Sequence, residues 1–139
     1  MTPFTVLYVE DEENDILLMR RAWTKAAIRE RLQTVSDGEE AMRYLSAQGP
    51  YVNRIEHPMP RLVILDLKLP KFSGLEVLQW IRAQPDLHYL PAVMLTSSNR
   101  KADKDAAAAV RADQYHLKPG PFREWVALIH ALKISWLEA

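Results

Sequence analysis

The sequence predicts an α/β domain: a mostly parallel, doubly wound sheet of five strands with five helices covering its two faces. Three observations predict it. Short apolar runs of strand length alternate along the chain with stretches whose apolar residues recur every three or four positions. The middle run, RLVIL at 61–65, is apolar without alternation, as in strands buried on both faces. Acidic, hydroxyl or basic residues directly follow four of the runs, at the carboxyl ends of strands, where open sheets of this kind place their ligands.

FTVLYV (4–9) reads as the first strand, and Ile16, Met19, Trp23 and Ala26 mark one face of the helix after it. LQTV (32–35) is the second strand. Asp37-Gly38 is a turn, and Ala41, Met42 and Leu45 line a helix expected to end near Gly49. Residues 49–60 hold three prolines and little periodicity, the mark of an extended surface loop. After RLVIL, Pro70 and Gly74 punctuate a loop, and Leu75, Leu78 and Ile81 give a helix ending before Pro85. LPAVML (90–95) is the fourth strand. Ser98 or Asn99 is positioned to cap a helix running through the four alanines 106–109. QYHL (114–117) is the fifth strand, and Pro121 suits the first turn of the last helix. That helix carries a stripe of Phe122, Trp125, Ile129, Leu132 and Trp136, with Val126, Leu128, Ile134 and Leu137 beyond it. The excess fits either a wide core-facing helix or a second buried face.

A chain of 139 residues, 48% of them apolar, is expected to form one domain over 1–139 with a proper core and no second unit. Its net charge is zero, which suggests neither a nucleic-acid nor an anionic-membrane partner. Without cysteine it has no disulfide, thiolate metal site or thiol nucleophile, which fits a reducing cytoplasm. No signal-peptide pattern and no bilayer-length apolar stretch is evident. The four histidines are scattered and read as structural or solvent-facing.

Four strand ends carry the chemistry: Glu10-Asp11 with Glu12 and Glu13, then Asp66, then Thr96 with Ser97 and Ser98, then Lys118-Pro119. A carboxylate is a competent nucleophile toward phosphorus and can form an aspartyl phosphate. The attack joins two anions, so a cation is needed between them. Mg²⁺ suits the role because it takes carboxylate, carbonyl and phosphate oxygens while keeping water. Glu10 and Asp11 can hold such an ion beside Asp66, since the first and third strands flank the switch point of a doubly wound sheet. Lys118 supplies a point charge for phosphoryl oxygens and Thr96 a hydroxyl. Glu12, Glu13 and Asp15 read as ordinary acids in the first turn of a helix.

Together YVEDE, LDLKLPKFSG, MLTSS and YHLKP, in that order, resemble the receiver domain of two-component response regulators over essentially the whole chain. The resemblance implies the flavodoxin-like strand order 2-1-3-4-5. It implies Asp66 as phosphoacceptor, Asp11 as direct ligand of Mg²⁺ or Mn²⁺, Glu10 acting largely through water, and the Lys68 backbone carbonyl completing the metal site. Thr96 and Lys118 would contact the phosphoryl group, the Lys118-Pro119 bond would be cis, and Tyr115 would be an aromatic switch turning inward as Thr96 engages phosphate. Lys68 and Ser98 occupy the positions that tune the lifetime of the phosphate in the family.

The loop GPYVNRIEHPMP, the stretch DLKLPKFSGLEVLQWI, PDLHYLPAVMLTSS and the tail with Trp136-Leu137 resemble small single-domain regulators of bacterial phytochrome-type histidine kinases. What this implies is a sensor histidine kinase as donor, a protein partner or onward phosphotransfer as output, and a homodimer through 122–137. Two alternatives stand beside it: a phosphorylation-independent interaction domain on the same scaffold, and an aspartate-nucleophile phosphatase of the haloacid dehalogenase type. The phosphatases use a second aspartate two residues after the nucleophile, where this chain has Lys68.

Overall fold

The computed structural model describes residues 4–138; the outermost ends of the expected domain, 1–3 and 139, lie outside the described residues. The elements alternate as the sequence predicts. They are β1 (Thr5–Val9), α1 (Glu13–Lys25), β2 (Arg31–Val35), α2 (Gly38–Leu45), β3 (Leu62–Leu65), α3 (Gly74–Ala83), β4 (Ala92–Thr96), α4 (Lys101–Ala109), β5 (Gln114–Leu117) and α5 (Phe122–Leu132). The five strands are parallel in the order β2-β1-β3-β4-β5.

Strand alternation divides the core into two layers. Val6 and Tyr8 of β1, Leu62 and Ile64 of β3, and Val93 and Leu95 of β4 face α1 and α5. Their sequence neighbours Leu7, Val9, Val63, Leu65, Ala92 and Met94 face the layer of α2 and α3. These twelve side chains are buried, which is why β1, β3 and β4 read as continuous apolar runs. Both neighbours of β1 and β3 are strands, so the carboxyl ends of these two adjacent strands open side by side at one end of the sheet.

Local chemistry sets the helix boundaries. Asp37 caps α2 by accepting from Glu40 N at 2.7 Å. Ser73 and Glu76 form a reciprocal capping box at the start of α3. Four of the sequence-based boundaries move. α2 ends at Leu45, because Ala47 turns to φ 55° and the chain reverses there. Within the expected loop, Gly49–Tyr51 forms one 3₁₀ turn. Neither Ser98 nor Asn99 caps α4: Arg100 holds the cap position, and the Ser98 hydroxyl instead donates to Asp103 while accepting from Arg100 N at 3.3 Å. Pro121 is the residue before α5, not one of its first turn.

The last segment differs most. After Leu132 the chain widens into a π turn, Lys133–Leu137. The extra residue puts Leu137, five positions after Leu132, into the core in place of Trp136. Trp136 swings to the sheet edge, where its indole N–H donates to Gln114 Oε1 at 3.2 Å. Val126 and Leu128 are half-buried against the α1 layer. Most of the apolar excess of this helix is therefore spent inside the domain, as a wide core-facing helix requires; Phe122 and Ile134 remain exposed.

Gly74 couples the fold to the site. A Cβ there would lie 1.9 Å from the carbonyl oxygen of Asp66, so α3 abuts the site strand only because this side chain is absent. Gly74→Ala is expected to lower stability by about 1–3 kcal/mol or more, as overpacking does. Urea denaturation measures it, and an unchanged midpoint would contradict the close approach.

Candidate functional site

The site forms where β1, β3 and β5 end. Alternation continues for one residue past β1 and β3, so Glu10 follows Tyr8, and Asp66 follows Ile64, toward the α1 side. Glu10 is fully buried and Asp66 only 6% exposed. β5 hydrogen-bonds along β4, and Lys118 N donates to Thr96 O at 2.8 Å just beyond it. That bond aims the lysine stem across the ends of the sheet. Its Nζ lies 2.7 Å from Glu10 Oε1, 2.7 Å from Asp66 Oδ2 and 2.7 Å from Asp15 Oδ2.

The remaining lone pairs are also used. Glu10 Oε1 accepts from the Tyr8 hydroxyl at 3.2 Å, and Oε2 from Glu12 N at 3.1 Å. Asp66 Oδ1 accepts from Leu67 N at 2.7 Å. Buried charges persist only when paired and hydrogen-bonded, and each of these is.

The electrostatics follow. Burial pushes the Glu10 carboxyl up to about 7, against the lowering pull of its bond to Lys118. For Lys118, burial opposes the charged form, but the hydrogen bonds to Asp15, Asp66 and Glu10 outweigh it and raise the ammonium above an ordinary lysine. Tyr8 is raised far above an ordinary phenol, first by burial and then by the adjacent Glu10 charge, so it stays a donor.

Thr96 ends β4, is 2% exposed, and accepts from Ser98 N at 3.3 Å through its hydroxyl. Tyr115 is half-buried, and its hydroxyl donates to Ser98 O at 2.8 Å, so the ring is already turned onto the loop that follows Thr96. Lys68 is exposed. Ser98 is the node of this loop, joined to Thr96, Tyr115 and Asp103.

Three expectations need correction or completion. The Lys118-Pro119 bond is trans, like every described peptide bond; trans is the lower-energy isomer of an X–Pro bond. Asp15 is not a solvated helix-start acid: it is an ion-pair partner of Lys118. One signal for it was present in the sequence. It lies four residues after Asp11, one helical turn from the end of β1, on the helix that packs over the face to which Glu10 and Asp66 point. Asp11 is exposed, and among the described residues no three acidic or histidine side chains are grouped as an ion's ligands are.

The donor chemistry nevertheless fits a hard divalent cation. Glu10 and Asp66 converge on one cationic point, Asp15 adds a third carboxylate against a single ammonium, and Asp11 stands next to Glu10 at the mouth.

Comparison with known proteins identifies the family. The family model of the response regulator receiver domain matches residues 6–130. The chain belongs to that family. It is 35% identical to response regulator Rcp1 of Synechocystis sp. over 136 residues, 98% of this chain and 90% of that protein. The structure of the phosphorylated cyanobacterial phytochrome response regulator RcpA superposes with a TM-score of 0.89 at 32% identity, covering 98% of this chain and 95% of that one. The Mn²⁺-bound form of Rcp1 gives 0.86 at 34% identity, covering 99% and 96%. The expected fold, strand order and likeness to the phytochrome response regulators are borne out.

The raised Glu10 pKa has a sign that can be checked. The folded state holds the Glu10 proton more tightly than the unfolded chain, so the associated stability is fully present below about 4.5 and lost as pH rises through about 7. In metal-free buffer, stability is expected to fall between pH 5 and 8 relative to Glu10→Gln. Parallel urea titrations of the two proteins test this, and a constant difference across that range contradicts it.

Proposed function

We propose that this protein is a phosphorylation-switched signalling protein in which Asp66 takes a phosphoryl group from the phosphohistidine of a sensor histidine kinase. The observation that carries the reading is the pairing of the Asp66 carboxylate with the Lys118 ammonium at 2.7 Å, at the carboxyl end of the central strand. In the transfer, an Asp66 oxygen forms the new P–O bond as the P–N bond breaks, and the electron pair leaves with the imidazole nitrogen. Lys118 neutralises phosphoryl oxygen and Thr96 donates its hydroxyl to another. Glu10, Asp11, Asp66 and the Lys68 backbone carbonyl would hold a Mg²⁺ or Mn²⁺ ion, which supplies charge neutralisation between carboxylate and phosphoryl oxygens. The same site supports self-catalysed hydrolysis of the aspartyl phosphate, its lifetime tuned by Lys68 and Ser98.

Engagement of Thr96 would reposition the hydroxyl oxygen that accepts from Ser98 N and so disturb the loop that Tyr115 grips; the switch pair Thr96 and Tyr115 would pass the change to α4 and β5. The likeness to the phytochrome response regulator RcpA supports a phytochrome-type kinase as donor, and a chain without cysteine fits a cytoplasmic setting. Output is through protein contact or onward phosphotransfer. Nothing in the charge balance favours nucleic acid, and among the described residues no helix is long and apolar enough to cross a membrane. The phosphorylation-independent alternative would dispense with the acid cluster and its lysine, and the phosphatase alternative lacks its second aspartate at Lys68.

Intact mass after incubation with acetyl phosphate and Mg²⁺ tests the reading. One phosphate adduct is expected, dependent on Mg²⁺ and missing in Asp66→Asn; no adduct where a known receiver labels would overturn it. A homodimer through 122–137 is supported by the exposure of Ile134 (67%), Phe122 (39%) and the neighbouring Leu117 (43%). Light scattering is expected to give twice the chain mass, and a monomer both with and without phosphorylation removes the dimer.

A further inference from the structure

We propose that Asp15 is a positioning residue for Lys118: its carboxylate holds the ammonium in place while Glu10 and Asp66 are engaged in phosphoryl chemistry. The inference rests on the reading of Asp66 as phosphoacceptor. A lysine ammonium has three N–H donors; here the carboxylates of Asp15 and Asp66 accept from it and that of Glu10 stands in ion-pair contact, each at 2.7 Å. Two of the three, Glu10 and Asp66, belong to the set that would hold the metal ion. Asp15 is the one of the three outside that set. When an ion draws on Glu10 and Asp66, Asp15 is the anion left to fix the lysine.

The placement suits that role. Asp15 sits in the first turn of α1, a helix capped by the Glu12 side chain and packed along α5, so it reaches Lys118 from a helix and not from a strand end. The pair is mostly shielded from water: the side chains of Lys118 and Asp15 are 11% and 21% exposed, against 88% and 64% for the surface pair Lys101–Asp105. A shielded pair is worth more than a surface one. A free lysine stem samples many rotamers, and a single fixed anion removes that freedom before the phosphoryl group arrives.

The test uses the full chain with Asp15→Ala and Asp15→Asn, the latter keeping an acceptor oxygen and losing only the charge. The Lys118 ammonium resonance, assigned with Lys118→Arg, is followed by ¹H–¹⁵N correlation with and without Mg²⁺, and phosphoramidate labelling is timed by intact mass. The wild-type ammonium is expected to stay protected from exchange in both conditions, and that of Asp15→Ala to lose protection when Mg²⁺ is added. Labelling of Asp15→Ala is expected to slow by about tenfold, the scale of one lost charge-assisted hydrogen bond, with Asp15→Asn between the two. If Asp15→Ala does not fold, the same comparison is made with Asp15→Asn alone. An ammonium that stays protected in the variants, or labelling as fast as or faster than wild type, overturns the assignment. If the wild type takes no phosphoryl group while the ammonium behaves as expected, the phosphoacceptor reading fails and the positioning of Lys118 by Asp15 stands.

Discussion

One ammonium surrounded by three carboxylates is the constraint on which the site end of this molecule depends. Glu10 is fully buried, and three acids brought together without a counter-charge would repel one another and take up protons. Lys118 makes their approach possible, and in doing so it ties the ends of β1, β3 and β5 and the first turn of α1 to one point. The sheet supplies the approach and the lysine supplies the tolerance for it. Neither is sufficient alone: β1 and β3 are adjacent because of the strand order, and β5, separated from β1 by two strands, reaches them only through the length of a lysine stem.

Tyr8 links this cluster to the apolar interior. Its ring belongs to the buried layer between the sheet and helices α1 and α5, while its hydroxyl donates to Glu10. On the other side, the loop after Thr96 is gathered by Ser98, whose backbone and hydroxyl bond Thr96, Tyr115 and Asp103. The charged centre is thus bordered by two neutral hydrogen-bonded units. One is packed in the core, and the other lies on a loop whose Ser97, Asn99 and Arg100 are exposed. A perturbation at the centre meets less resistance through the second.

Much of this was legible in the sequence. The order of strands and helices was readable because β1, β3 and β4 are buried on both faces, and such strands leave uninterrupted apolar runs. Asp66, Glu10 and Thr96 were readable because each follows such a run directly, and Lys118 because it follows the short strand-like QYHL. Asp15 was missed because an acid in a first helical turn has a sufficient local explanation, and only the alternation of β1 and β3 carried over their ends shows which side the charges take. The place of Trp136 was missed for a different reason. Its spacing from Leu132 is ideal for an α-helix, and no residue type announces the π turn that hands its position to Leu137. The trans Lys118-Pro119 bond departs from a property carried over from the family, not from anything the residues themselves spelled out.

β5 has a strand on one side only, hydrogen-bonded to β4 from Gln114 to Leu117. It nevertheless bears Tyr115, and Lys118 directly follows it. In mechanical terms the three inner strands form an anvil, held on both flanks, whereas the rim strand is hinged along a single seam. A sideways shift of that rim breaks the fewest bonds in the sheet. Under the proposed switch, transmission would therefore be lateral: it would run outward across the sheet to its margin, and the hydrophobic layers above and below need not be rebuilt.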